Sequence, residues 1–244
     1  LFFTNKGRIY RAKVHELPDA GRDARGQHVA NLLAFKPDET IAQVIAISDY
    51  KSHPFLAIAT RGGIVKKSPL IEYDSPRSGG LIAINLKESD EVVSAALLSE
   101  TDEILLVSKN GMSLRFGANE ESIRSMGRST SGVIGMKFRG KDQLLTMAAI
   151  TDISSPKFVL TATDGGYAKR TPLDEYRTQG RGGLGVKAAK IDEDSRGVLV
   201  GAMIVEASDE ILAITSGGVV IRTACAEIRE TSRDTLGVRL VNLD

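Results

Sequence analysis

The sequence predicts an all-β protein, a propeller-like array of repeated four-stranded blades, on three observations. Five turn glycines, Gly7, Gly63, Gly111, Gly166 and Gly218, stand 56, 48, 55 and 52 residues apart. An apolar run precedes each of them, at 1–3, 55–59, 104–107, 158–162 and 211–214. A second glycine follows 17 to 21 residues later, at Gly26, Gly80, Gly132, Gly185 and Gly237. Short strands and glycine turns repeating at about fifty residues suit small sheets that bury their faces against neighbouring copies.

The elements follow in order within each repeat. The apolar run, a Gly-Gly or Asn-Gly type turn and a second short run read as a hairpin. The turns are Thr4-Asn-Lys-Gly7, Thr60-Arg-Gly-Gly63, Ser108-Lys-Asn-Gly111, Thr163-Asp-Gly-Gly166 and Thr215-Ser-Gly-Gly218. From the second glycine runs a third segment that closes at Asn31-Leu32, Asn85-Leu86, Lys137-Phe138, Lys190-Ile191 and Asn242-Leu243. A charged turn comes next, such as Lys36-Pro-Asp-Glu39 or Lys87-Glu-Ser-Asp-Glu91, and then a fourth run at 41–47, 92–98, 144–150 or 198–205. The units are 1–50, 51–99, 100–152, 153–206 and 207–244, with both end units unfinished. One helical turn is expected, at 119–124.

Composition excludes several classes. The chain of 244 residues is 42% apolar and 26% charged, which rules out a disordered or collagen-like chain. Its apolar runs are too short to span a bilayer. A lone cysteine, Cys225, excludes a disulfide framework and a cysteine zinc site, and suits a reducing cytosol. The chain opens on Leu-Phe-Phe-Thr without Met, as an excised fragment would.

A net charge of +1 argues, in bulk, against a nucleic-acid partner. Split by repeat it reads differently. The windows between the two glycines hold 18 basic and 12 acidic residues, and the rest of the chain 14 and 19. Four residues after each turn glycine stands a cation: Arg11, Lys67, Arg115, Arg170 and Arg222. A basic segment recurring at one location in every blade suits a polyanion with regular phosphates. The first windows add Arg22, Arg25, Lys66 and Arg77; the later ones add Arg128, Lys169, Arg177, Arg229 and Arg233.

No helix is offered to a major groove, and few aromatics fall in these windows. Backbone contact with bent duplex DNA is therefore expected, largely independent of base sequence.

Other leads fail on context. Gly180, Gly182 and Gly185 fit a dinucleotide fingerprint, but no βαβ unit surrounds them. Gly135-x4-Gly140-Lys141 resembles a phosphate loop but ends in Asp142, where a hydroxyl is needed for Mg²⁺. His15, His28 and His53 have no paired spacing, Cys225 reads as a structural thiol, and no nucleophile–base set is visible.

The stretch Ala162-Thr-Asp-Gly-Gly-Tyr-Ala-Lys-Arg-Thr-Pro-Leu-Asp-Glu-Tyr176, followed by Gln179-Gly-Arg-Gly-Gly-Leu-Gly185, resembles the C-terminal domain of the DNA gyrase A subunit. The likeness runs through all five repeats, including Arg25-Gly-Gln-His-Val-Ala-Asn-Leu-Leu33 and Ser129-Thr-Ser-Gly-Val-Ile-Gly135. The resemblance implies a β-pinwheel of six blades that exchange strands, five of them present here. It implies a non-catalytic domain that wraps duplex DNA on its rim, with positive handedness, to support ATP-dependent negative supercoiling. Its partners would be the gyrase B subunit, with the rest of the gyrase A subunit, in a heterotetramer in a bacterial cytoplasm at the nucleoid. ATP and Mg²⁺ would act elsewhere, leaving no cofactor in this domain.

The family's box reads Gln-(Arg/Lys)-Arg-Gly-Gly-Lys-Gly; Gln179, Arg181, Gly182, Gly183 and Gly185 match it, while Gly180 and Leu184 replace two basic positions. The box normally lies in the first blade, so the resemblance places that blade before Leu1 and makes this a secondary copy. Glycines would let the loop backbone approach phosphates and offer N–H donors, with Arg181 supplying charge. The rival readings are a topoisomerase IV C-terminal domain, with degenerate boxes, and a propeller for protein interaction.

Overall fold

A computed structural model describes the chain except residues 22, 76–78, 243 and 244. The first repeat supplies β1 (Phe2–Thr4), β2 (Arg8–Tyr10) and β3 (Ile41–Val44). The second supplies β4 (Phe55–Thr60), β5 (Ile64–Pro69), β6 (Leu81–Ile82) and β7 (Val92–Leu98). The third gives β8 (Glu103–Ser108), β9 (Met112–Gly117), β10 (Val133–Ile134) and β11 (Leu144–Ile150). The fourth gives β12 (Phe158–Thr163), β13 (Tyr167–Pro172), β14 (Val186–Lys187) and β15 (Leu199–Val205), and the fifth β16 (Glu210–Ile214), β17 (Val220–Ala224) and β18 (Val238–Arg239).

The hairpins form where the sequence places them, and one device closes all five. Each turn glycine has φ between +73° and +81°, a region that costs a side-chain-bearing residue. Its N–H donates to the carbonyl three residues earlier at 2.9–3.1 Å, on Thr4, Thr60, Ser108, Thr163 or Thr215. The hydroxyl of that same residue accepts the N–H after the glycine at 3.1–3.3 Å. Thr or Ser is therefore needed at the first turn position, and glycine at the fourth.

The third segment does not pair within its own repeat. The described sheets run β3-β1-β2-β6, β10-β5-β4-β7, β11-β8-β9-β14 and β15-β12-β13-β18, plus a two-stranded β16-β17. Every full sheet is thus completed by a strand from the next repeat, in register Arg8↔Ile82, Val186↔Ser113 and Tyr167↔Arg239. The first repeat's third segment forms a 3-10 turn, Val29–Asn31, in place of a strand.

The chain divides into two compact units, Leu1–Ser99 with Arg124–Val133, and Glu100–Ile123 with Ile134–Asp244. In the first, Leu1, Phe3, Leu56, Ile58, Leu70, Tyr73 and Val92 join into one core. In the second, Leu105, Val107, Ile150, Val159 and Leu199 form one cluster, and Phe158, Leu160, Val205, Cys225 and Ile228 another. The first strand of each of the second, third and fourth hairpins is a near-continuous apolar run buried on both faces, and it supplies these clusters. At 119–124 the backbone makes a hydrogen-bonded turn but no helix. One helical turn lies instead at Glu193–Arg196, where the Asp192 side chain accepts the Ser195 N–H at 3.3 Å.

Candidate nucleic-acid interface

Four of the five cations that stand four residues after a turn glycine have partners eight residues before it. Lys67 lies over the Phe55 ring and Arg170 over the Phe158 ring, each 4.5 Å from the centroid. Arg115 pairs with Glu103 and Arg222 with Glu210. These are diagonal neighbours across the hairpin, as the pairings Ala57↔Lys67 and Leu105↔Arg115 dictate. Arg11, just past β2, pairs with Asp74.

The register of cations is therefore first a sheet-building register. Lys67 is 0% exposed, and the side chains of Arg115 and Arg170 only 13%. The backbones of all three, and the side chains of Arg115 and Arg170, bind the next repeat's loop. The carbonyls of Lys67, Arg115 and Arg170 accept the N–H of Met126, Gln179 and Thr231 at 2.8–3.0 Å. Arg115 Nη1 donates to Leu173 O and Tyr176 O at 3.1 Å, and Arg170 Nε to Ile228 O at 2.8 Å. This corrects the expectation that these residues face an outside polyanion.

Lys66 and Lys169, at 0% and 2% exposure, are corrected likewise: their ammonium groups are spent inside the protein. Lys66 Nζ donates to Ala83 O and Arg128 O, and Lys169 Nζ to Ser232 O at 2.8 Å, Arg233 O and Thr235 Oγ1 at 3.3 Å. Burial pushes both lysines down to about 8, against which Glu72 raises Lys66 and Glu175 raises Lys169. Burial pushes the Tyr73 and Tyr176 hydroxyls up to about 12.

A pH dependence of stability follows. From pH 8 to 10 the unfolded lysines hold protons that the native ones have shed, so stability rises. Beyond pH 10 the unfolded tyrosines ionise while the native ones stay neutral, so it falls; Cys225, whose thiol burial pushes up, adds to the fall. Thermal melts should show Tm rising by about 2–4 °C to a maximum near pH 10. Lys66→Met with Lys169→Met should remove the rising limb.

Arg128, Arg181 and Arg233 each stand four residues before the second glycine. Their Nη1 groups clasp the preceding exchanged strand, at Ile82 O (2.6 Å), Ile134 O (3.2 Å) and Lys187 O (2.9 Å). Arg181 also donates through Nε to Ser122 O at 2.9 Å and remains exposed.

The box-like loop at 179–185 is tied down by its own backbone. Gly182 N–H donates to Gly135 O at 2.6 Å, and Gly183 O accepts from Lys137 N at 2.9 Å. The Gly182 N–H expected for phosphate is therefore occupied. Gly185 has φ +75°, and a Cβ there would press into Ser113 O and lie 3.2 Å from Leu114 Cβ. Gln179 is partly buried, its Nε2 without a partner among the described residues.

What remains free is narrower and better ordered than the predicted set. Lys67, Arg115 and Arg170 bridge in parallel to Ser125, Thr178 and Glu230. The residues just before those bridges are Arg124, Arg177 and Arg229, so the three are equivalent. All three are exposed, and their side chains have no partner among the described residues. Arg25 is exposed and unpartnered too, among the described residues. Arg22 and Arg77 lie outside the described residues. Arg124 escapes a count made forward from the turn glycine, because its loop is two residues longer; counting back eight from Gly132, Gly185 and Gly237 finds all three.

The family model described as DNA gyrase C-terminal domain, beta-propeller, matches residues 1–48, 54–99, 102–151, 157–206 and 209–244. The DNA gyrase A subunit of Streptomyces coelicolor is 64% identical over 248 residues, covering 100% of this chain and 28% of that protein. The DNA gyrase A subunit of Mycolicibacterium smegmatis is 57% identical over 243 residues, with the same coverages. Among solved structures, a DNA topoisomerase IV C-terminal domain superposes with TM-score 0.86 at 30% identity, over 99% of this chain and 74% of the other. A DNA gyrase A C-terminal domain superposes with TM-score 0.87 at 24% identity, over 100% and 78%. The chain thus spans about 28% of the length of the gyrase proteins it matches.

Proposed function

The chain belongs to the DNA gyrase C-terminal domain family of beta-propellers, and from that premise we propose that it binds duplex DNA through its backbone phosphates and wraps it in support of ATP-dependent negative supercoiling. The observation that carries the reading is that Arg124, Arg177 and Arg229 hold the equivalent position in three repeats, each guanidinium exposed and unpaired among the described residues. Arg222, exposed in the same window as Arg229, is paired with Glu210 within the protein. Three free guanidinium groups at one blade position suit phosphates, which recur along a duplex; bases would need a reading element.

Arg25 and the exposed Arg181 extend the same contact. The chain would act without a catalytic centre or cofactor of its own, ATP and Mg²⁺ acting elsewhere in an assembly of gyrase A and gyrase B subunits in the bacterial cytoplasm. Identities of 64% and 57% to gyrase A subunits over the whole of this chain favour gyrase.

Ligation of a nicked circle in the presence of rising protein should fix a positive shift in linking number. Duplex affinity with unaltered linking number would reduce the role to passive binding. No affinity at low salt would end the DNA reading.

A further inference from the structure

The loops of the third and fifth repeats, 126–132 and 231–237, are gripped by a buried ammonium, and the loop between them is not. Lys66 Nζ reaches Arg128 O, and Gly127 O at 3.5 Å; Lys169 Nζ reaches Ser232 O and Arg233 O. A carboxylate holds each loop from its amide side: Glu72 Oε2 accepts Arg128 N at 2.7 Å, and Glu175 Oε2 accepts Arg233 N at 3.1 Å. In the repeat between, Leu114 stands where the lysine would be, and its Cδ1 packs beside Gly183. Loop 179–185 is held instead by the backbone bonds of Gly182 and Gly183.

A buried lysine would cost stability if it only filled space, since a leucine serves in the third sheet. Its ammonium instead offers three N–H donors to carbonyls of a chain segment with no ladder of its own. The gripped residues follow closely on Arg124 and Arg229.

We infer that Lys66 and Lys169 are positioning residues, each fixing from inside the loop by which the next repeat presents its free arginine, Arg124 or Arg229, to DNA phosphates. The inference rests on the DNA-binding reading above. Neither lysine touches the nucleic acid; each sets the arginine's place through loop carbonyls.

The test uses the full-length protein with Lys66→Met and Lys169→Met together. Amide hydrogen exchange should quicken about tenfold in 126–132 and 231–237 and stay unchanged in 179–185, and affinity for a linear duplex should fall about tenfold. In a background carrying Arg124→Ala and Arg229→Ala the same lysine changes should have almost no further effect on affinity, because the groups they position are gone. A general structural weakening would persist there undiminished, and such additivity would overturn the inference. Unchanged loop exchange would overturn it too. If the methionine variant fails to fold, Glu72→Gln with Glu175→Gln loosens the same loops from the other side, with the same outcomes expected. Lack of duplex affinity in the unsubstituted protein would bring down the DNA reading itself, and is told apart because loop exchange is read without DNA.

Discussion

Gly185→Ala should destabilise the protein by about 3–5 kcal/mol and lower Tm by roughly 10 °C. Two costs add. The φ of +75° charges any side-chain-bearing residue about 1–2 kcal/mol. The new methyl would also press into Ser113 O and Leu114 Cβ. Neither neighbour can retreat, because Ser113 pairs with Val186 in the exchanged strand, and the Ser113 hydroxyl donates to Val186 O at 3.0 Å. Relief would mean parting β14 from β9 and opening the third sheet. Gly180→Ala is the control: no atom lies within 4 Å of a Cβ there, and a change within about 0.5 kcal/mol is expected. A thermal melt of the two variants decides it. Equal Tm would show that the glycine is not needed for strand exchange.

Arg124→Ala, Arg177→Ala and Arg229→Ala together should lower duplex affinity roughly ten- to hundredfold at moderate salt and leave Tm unchanged. The slope of log affinity against log salt should become shallower by about 2.7, three contacts at 0.9 each. The loss should be the same on duplexes of unrelated sequence. Arg115→Ala should do the reverse. It strands Glu103 in a half-buried site and frees the carbonyls of Leu173 and Tyr176, costing about 2–3 kcal/mol while barely moving the salt slope. If Arg115→Ala flattened the slope and the triple substitution did not, the assignment of free and structural cations would be inverted.

The hairpins were legible because each turn needs two unusual residues at fixed spacing, a hydroxyl at the first position and a glycine at the fourth. The fourth runs were legible as apolar stretches after a charged turn. Strand partners were not, since a run such as Leu81–Ile82 carries no mark of which edge it joins. Only the family resemblance suggested exchange, and the sheets bear it out.

Charge was half legible. Cations recur four residues past the turn glycine, and so do their partners Phe55, Glu103, Phe158 and Glu210, eight residues before it. Counting cations without their diagonal neighbours made a structural register look like a surface one. Burial of Lys66 and Lys169 left no signal in composition, because a lysine's sequence context does not say whether carbonyls surround it. The helical turn at Glu193–Arg196 was announced only by Asp192 as a cap.

Strand exchange also bears on how the chain is made. Residue 8 finds its partner at residue 82, residue 113 at 186 and residue 167 at 239. On a ribosome, each hairpin emerges well before the strand that completes it and waits with one edge open. Such long-range closure is slow, and an open edge invites wrong partners, including the hairpin of a neighbouring nascent chain. The same device forbids clean excision of one repeat. Removing it takes the closing strand from the repeat before and leaves the next repeat's strand to close a different edge, so these repeats are links of a chain and not beads on a string.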